Sequence, residues 1–210
     1  MSNLNQDVLV IDYQIGNVSS VINAIKKLGH KANLSNNINS IENASHLILP
    51  GVGSFEAGMS NINRLELKEV IIEKVKKKNT PILGICLGMQ LLATEGNENN
   101  VLTKGLNLIE GKVEMINSKD KKLPHIGWNS ANFQKESKLS DGLNVENDFY
   151  FVHSYYFNCK NKNEILATTN YGSNFPSIVK KGNIIGVQFH PEKSLEKGMV
   201  LLKNFLNINA

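Results

Sequence analysis

Residues 81–85 form a short apolar run with the character of a buried strand, and by residue 87 the pattern is already that of a helix running to 93. No loop separates them. The one residue at the changeover is Cys86, with Gly84 and Gly88 two positions to either side. A chain that turns from strand to helix about a single residue is committed to an α/β arrangement with a sharp elbow there. The G-x-nucleophile-x-G spacing has a steric cause: the central residue is held in a strained backbone conformation, and side chains at the flanking turns would collide. A thiol at a helix N-terminus meets unpaired N–H groups and the positive dipole end, which favour the thiolate. Taken alone, the pattern fits equally well a buried structural cysteine packing as a small hydrophobe.

A partner base decides between the two, and one lies near the C-terminus. Residues 183–189 read as a strand, entered through a Lys181-Gly182-Asn183 turn and running into His190-Pro191-Glu192-Lys193-Ser194. In extended chain, residues i and i+2 project to the same side, so His190 and Glu192 are expected side by side, with Pro191 stiffening the link. A histidine base needs an acceptor on its second ring nitrogen, and a carboxylate serves best. Cys86, His190 and Glu192 thus supply nucleophile, base and orienter.

Ahead of the elbow, residues 8–11, 31–34 and 47–49 read as strands and 18–28 and 66–78 as helices. Ser54 reads as the cap of a further helix after Pro50-Gly51-Val52-Gly53. This alternation predicts a mostly parallel twisted sheet with helices on both faces. From residue 105 the pattern changes to short strands at 111–116, 148–157, 165–169, 177–180 and 184–189, part of them antiparallel, with a closing helix over 195–206. One domain spanning residues 1–210 is expected. The Pro50 loop, Cys86 and His190 each follow a strand at its carboxyl end, the edge where ligands gather in such sheets.

Composition excludes several other classes. The N-terminal apolar run at 8–11 is too short for a membrane span or a signal segment, so no membrane is expected and the chain reads as cytoplasmic. The net charge is only +4, and the lysine runs at 76–78 and 119–122 carry no interleaved aromatics, which argues against nucleic acid. Cys86 and Cys159 stand far apart without C-x-x-C spacing, so neither a disulfide framework nor a zinc site is indicated. Cys159, among Asn158, Lys160 and Asn161, reads as an incidental loop thiol. With no Walker loop and no metal cluster, no cofactor or metal is expected.

Gly84-Ile85-Cys86-Leu87-Gly88-Met89-Gln90 and Gln188-Phe189-His190-Pro191-Glu192-Lys193-Ser194 resemble the signatures of class I, triad-type glutamine amidotransferases. Further segments resemble, within that class, the glutaminase subunits of imidazole glycerol phosphate synthase. These are Asp12-Tyr13 followed by Gly16-Asn17, Pro50-Gly51-Val52-Gly53, Pro124-His125-Ile126-Gly127-Trp128-Asn129, and Phe149-Tyr150-Phe151-Val152-His153-Ser154-Tyr155. The resemblance spans nearly the whole chain and implies a flavodoxin-like fold with an added antiparallel portion. It also implies hydrolysis of L-glutamine to glutamate and ammonia, and a heterodimer with a (β/α)8-barrel cyclase subunit that receives the ammonia in histidine biosynthesis. The implied oxyanion donors are the N–H groups of Val52 and Leu87, with glycines bracketing Val52 so that its peptide plane can turn. Glutamine-binding roles fall on Gly51, Gly53, Gln90, Glu98, Ser154 and Tyr155, the last two through backbone groups; Glu95 stays open as an alternative to Glu98. Interface roles fall on Asn17, Trp128, Tyr150 and Lys193, Trp128 as an exposed anchor in a Gly-rich polar loop. His153 reads as structural, since proton transfer is already assigned. The family usually has glycine where this chain has Gln14, near the expected interface. A paralogous subunit supplying ammonia to a bacterial surface sugar therefore stays open. A non-catalytic binding protein on the same fold is the rival from another class, and the intact triad argues against it.

Overall fold

The apolar runs bounded by turn residues become the central strands. The computed structural model describes residues 7–16, 18–143 and 147–208. In chain order the first half comprises β1 (Asp7–Ile11), α1 (Val18–Lys27), β2 (Lys31–Ser35), α2 (Ile38–Asn43), β3 (His46–Gly51), α3 (Phe55–Arg64), α4 (Leu67–Lys76), β4 (Ile82–Cys86) and α5 (Leu87–Leu91). Then follow β5 (Glu95–Glu98), β6 (Val101–Lys104), β7 (Gly111–Met115), β8 (His125–Ser130), β9 (Asn132–Phe133), β10 (Asp148–His153), β11 (Tyr155–Cys159), β12 (Ile165–Tyr171), β13 (Ser173–Lys181), β14 (Ile184–Val187) and α6 (Leu195–Leu206).

The main sheet has the order β2-β1-β3-β4-β14-β13-β12-β9, parallel from β2 to β14 and antiparallel beyond. Strands β3 and β4 are buried at every position, as a parallel sheet covered on both faces requires. The pleat sorts their side chains. Leu9, Ile11, Leu47 and Leu49 pack with α2, α3 and α4, whereas Val8, Val10, Ile48 and Leu83 pack with α1 and α6 on the other face. Because β1 lies between β2 and β3, the strand order reverses there and leaves a crevice beyond the carboxyl ends. Register delivers the motifs to this edge: Gly51 is opposite Cys86, and Ile85 is opposite Val187, so Gln188 leaves the sheet level with the cysteine.

Several expectations are corrected. The elbow helix ends at Leu91, too short to carry much macrodipole, so the dipole argument for Cys86 loses most of its force. The chain then forms the β5–β6 hairpin, turned by Asn99 (φ 50°) and Asn100 (φ 64°) with Glu98 opposite Val101. Positive φ at both turn residues matches the twist of the strands. The expected strand over 148–157 is two strands in different sheets, β10 with β8 and β11 with β7, broken at Ser154. Trp128 sits in β8 and not in a loop; Gly127 and the polar neighbours hid its alternation. Cys159 is no loop thiol: it ends β11 fully buried, its Sγ donating to Asn161 O at 3.3 Å, and burial pushes its thiol up to about 11. Among the described residues, no helix is long and apolar enough to cross a membrane.

Candidate active site

Cys86 occupies the changeover from β4 to α5 at φ 54°, ψ −110°, the strained elbow geometry the glycines announce. A Cβ on Gly88 would fall 1.7 Å from the Leu49 carbonyl oxygen, and one on Gly84 would fall 2.6 Å from that of Gly88. The elbow is therefore packed backbone against backbone. Its sulfur touches two polar groups: Sγ lies 3.8 Å from Val152 O, and Gln188 Nε2 points at it from 3.9 Å.

His190 and Glu192 are joined as expected, Nδ1 to Oε1 at 2.8 Å, but not by extended chain. Pro191–Lys193 is a turn of 3-10 helix. That turn, and not strand alternation, brings the carboxylate behind the ring. The segment is further pinned by His190 N donating to Tyr150 O at 2.9 Å and Ser194 Oγ donating to His190 O at 2.6 Å. His190 Nε2 is buried without a hydrogen-bond partner of good geometry. Burial opposes a charged ring here, but the Cys86 sulfur and the Glu192 carboxylate outweigh it and raise His190 to about 9. Near neutral pH the ring holds its proton beside the sulfur.

A cavity of about 200 Å³ opens over Cys86. Val52, Gly53, Leu87, Gln90, Glu98, His153, Ser154 and Tyr155 contribute to its wall. Gly51 does not line it. A Cβ there would fall 2.0 Å from the Tyr13 hydroxyl, so Gly51 is needed for close packing beneath the loop, while Gly53 has φ 115°. The choice between acidic residues is decided by position. Glu98 is buried in the wall, its Oε2 accepting from Phe55 N at 2.8 Å. Burial raises its pKa, the Phe55 N–H draws it back and the Glu56 charge adds to the rise. Glu95 points away, paired with Lys104 at 2.6 Å and Lys112 at 3.0 Å. A larger hollow of about 410 Å³ near Glu95, Glu110 and Cys159 does not include Cys86, and its acids are already paired with lysines. The backbone of Ser154 and Tyr155 offers less than an open strand edge would: Ile116 N donates to Ser154 O, and Gln90 Nε2 and His153 Nδ1 both reach Tyr155 O.

Sequence reasoning gave no role to Gln188, which bridges Gln90 and Cys86. Its place two residues before His190 was the only signal. On the outer face of the β8–β10 ribbon, Trp128 is half exposed and stands edge-on to Tyr150, with ring centroids 6.1 Å apart; Lys193 Nζ lies 5.9 Å from the Tyr150 ring. Ile126 extends this patch. Asn17 lies outside the described residues.

A strained thiol at a small cavity and a carboxylate-backed imidazole nearby at the carboxyl edge of the sheet are the parts of a cysteine-nucleophile enzyme, and the family profile "Glutamine amidotransferase class-I" matches residues 9–208. The chain belongs to the class I glutamine amidotransferase family. Within that family it is 48% identical over 200 residues to imidazole glycerol phosphate synthase subunit HisH 2 of Methanococcus maripaludis, covering 95% of this chain and 98% of that one. It is 43% identical to HisH 2 of Pseudomonas aeruginosa (96% and 99% covered) and 43% identical to HisH of Pelagibacter ubique (96% and 100% covered). A solved glutamine amidotransferase superposes with a TM-score of 0.75 at 22% identity, covering 95% of this chain and 96% of that one. The structure of PurLQS from Thermotoga maritima matches with a TM-score of 0.72 at 16% identity, covering 96% and 98%. Both likenesses concern the fold.

Proposed function

We propose that this chain is the glutaminase subunit of an imidazole glycerol phosphate synthase, acting as one domain in the cytoplasm and delivering ammonia to a (β/α)8-barrel cyclase partner. The observation that carries the reading is Cys86 at its strained elbow in the wall of one small cavity, with the Glu192-backed His190 ring near enough for the sulfur to raise its pKa.

The Cys86 thiolate attacks the glutamine carboxamide carbon, forming a C–S bond. The resulting oxyanion is met by the N–H groups of Leu87 and Val52, each such donor contributing on the order of 3 kcal/mol to the transition state. Protonated His190 gives its proton to the departing nitrogen, which leaves as ammonia, and the neutral ring then takes a proton from water as it attacks the thioester. Glu192 holds the ring and balances its charge. Gln90, Glu98, Ser154 and Tyr155 hold the glutamine backbone end. One Glu98 oxygen already caps α3, which leaves the other for an ammonium group. Val52 lies between two glycines at the cavity mouth, so the loop can turn its N–H toward the oxyanion when the partner docks. The Trp128, Tyr150 and Lys193 patch receives the barrel, and ammonia passes to it out of contact with bulk water.

The test is glutamine-dependent product formation with the candidate cyclase barrel and its ribonucleotide substrate. We expect the wild-type pair to be active and Cys86→Ala to lose at least about a thousandfold in glutamine hydrolysis while ammonia-dependent synthesis persists. An active Cys86→Ala glutaminase would overturn the mechanism. A surface-sugar role is set apart by which barrel co-purifies.

A further inference from the structure

Between the docking ribbon and the cavity runs a line of polar groups that begins with two histidines the reaction does not use. His125 on β8 and His153 on β10 face each other inside the ribbon, both buried, with Nδ1 of His125 3.1 Å from Nε2 of His153. His153 Nδ1 lies 2.8 Å from Tyr155 O. A carbonyl only accepts, so this nitrogen carries the proton. His153 Nε2 then accepts in a neutral ring, and His125 Nδ1 donates to it. That leaves His125 Nε2 as an acceptor, 3.2 Å from Asn129 Nδ2, which also donates to Asn170 O at 3.0 Å. The Asn129 oxygen accepts from Ser130 N at 2.9 Å, which fixes the amide's orientation.

The line continues past Tyr155. Gln90 Nε2 donates to Tyr155 O at 2.8 Å and to Gln188 Oε1 at 3.1 Å, and Gln188 Nε2 reaches the Cys86 sulfur at 3.9 Å. From Asn129 through His125 and His153 each bond determines the direction of the next as far as the Tyr155 carbonyl, which accepts from His153 on one side and from Gln90 on the other. Protonating either imidazole would set two N–H groups against each other in a buried site. Consistently, burial foremost depresses both rings, His125 to about 4 and His153 to about 3.

We propose that His125 and His153 are positioning residues for glutamine, their hydrogen bonds tying the docking strand β8 to the Tyr155 carbonyl, which in turn holds the Gln90 amide beside Gln188 and the Cys86 sulfur. The proposal rests on the glutaminase reading above. Trp128 and His125 share β8 but face opposite sides. A shift of that strand on docking therefore displaces Asn129 and His125 and is felt in the cavity wall.

Three measurements test this. In the assembled complex, His125→Leu removes the donor, whereas His125→Asn keeps an N–H near the Nδ1 position. We expect His125→Leu to raise KM for glutamine about fivefold, the size of one lost neutral hydrogen bond, with kcat changed less, and His125→Asn to recover most of it. Unchanged KM in the leucine variant, or an asparagine variant as impaired as the leucine one, would refute the positioning role. Should these variants not fold, nitrogen NMR of the histidine-labelled wild-type protein decides. Both rings should stay neutral with the proton on Nδ1 between about pH 6 and 8, although free histidine titrates there. A ring with its proton on Nε2, or one that charges in that range, defeats the proposal. A wild-type complex without glutaminase activity would instead sink the functional reading, and the NMR result would still judge the hydrogen-bond line.

Discussion

At Gly88 a single hydrogen separates a working elbow from a blocked one. The atom a side chain would meet is the Leu49 carbonyl oxygen of β3, a backbone group that cannot rotate aside. We expect Gly88→Ala to cost about 3 kcal/mol or more and to abolish glutamine hydrolysis, checked by thermal unfolding and single-turnover kinetics. His190 gives a prediction of another kind. Its folded pKa of about 9 stands above the ordinary 6.5, so its contribution to stability is complete below about pH 6.5 and drains away as pH rises through 9. Comparing denaturation midpoints of wild type and His190→Gln from about pH 6 to 9.5 should show the wild type losing its advantage with rising pH; a constant difference would contradict the coupling. These residues were legible in the sequence because an elbow and a His-Pro-Glu run are local patterns with local reasons. The path joining His190 to Glu192 was not legible. Extended chain would bring i and i+2 together along its whole run, whereas here an extended His190 leads into a 3-10 turn, and only the backbone trace distinguishes the two.

Elements were legible in proportion to how continuous their apolar pattern was. Buried parallel strands such as β3 and β4 announce themselves, and so do α1, α4 and α6. The β5–β6 hairpin did not, because its strands are short and mostly polar and its turn is Asn-Asn, without glycine. Both turn residues have positive φ, which costs asparagine little and glycine nothing. Asn100→Gly relieves that small cost but loosens the unfolded chain, so stability should stay within about 0.5 kcal/mol of wild type in chemical denaturation, with no effect on glutamine turnover. The break at Ser154 was hidden for a different reason. Residues 148–157 are uniformly strand-like, and nothing local says that they belong to two sheets. The break matters for the site, since it carries the chain from the β8–β10 ribbon into the cavity wall.

Over the whole molecule, the register of three parallel strands places Gly51, Cys86 and Gln188 at one level, and His190 follows directly. The same assembly brings the β8–β10 ribbon against that edge, where Tyr150 O receives the His190 N–H. Tyr150, part of the exposed Trp128 patch, thus holds the backbone of His190. Trp128→Ala should weaken binding of the cyclase barrel by about 2 kcal/mol, roughly thirtyfold, without changing the unfolding temperature of the isolated chain, as titration calorimetry and thermal scans would report. Normal affinity in that variant would place the docking surface elsewhere.

By itself the sequence determined the class of sheet, the elbow at Cys86 and the pairing of His190 with Glu192, the residues proposed as nucleophile, base and orienter, because each is a matter of short-range sterics and periodicity. Tertiary structure decided that Glu98 and not Glu95 enters the cavity, that Trp128 rides on a strand, that Cys159 is core, and that two histidines form an ordered hydrogen-bond line. Those outcomes depend on which segments far apart in the chain come to lie against each other. That is settled by strand pairing and burial over the whole molecule, which no local pattern records.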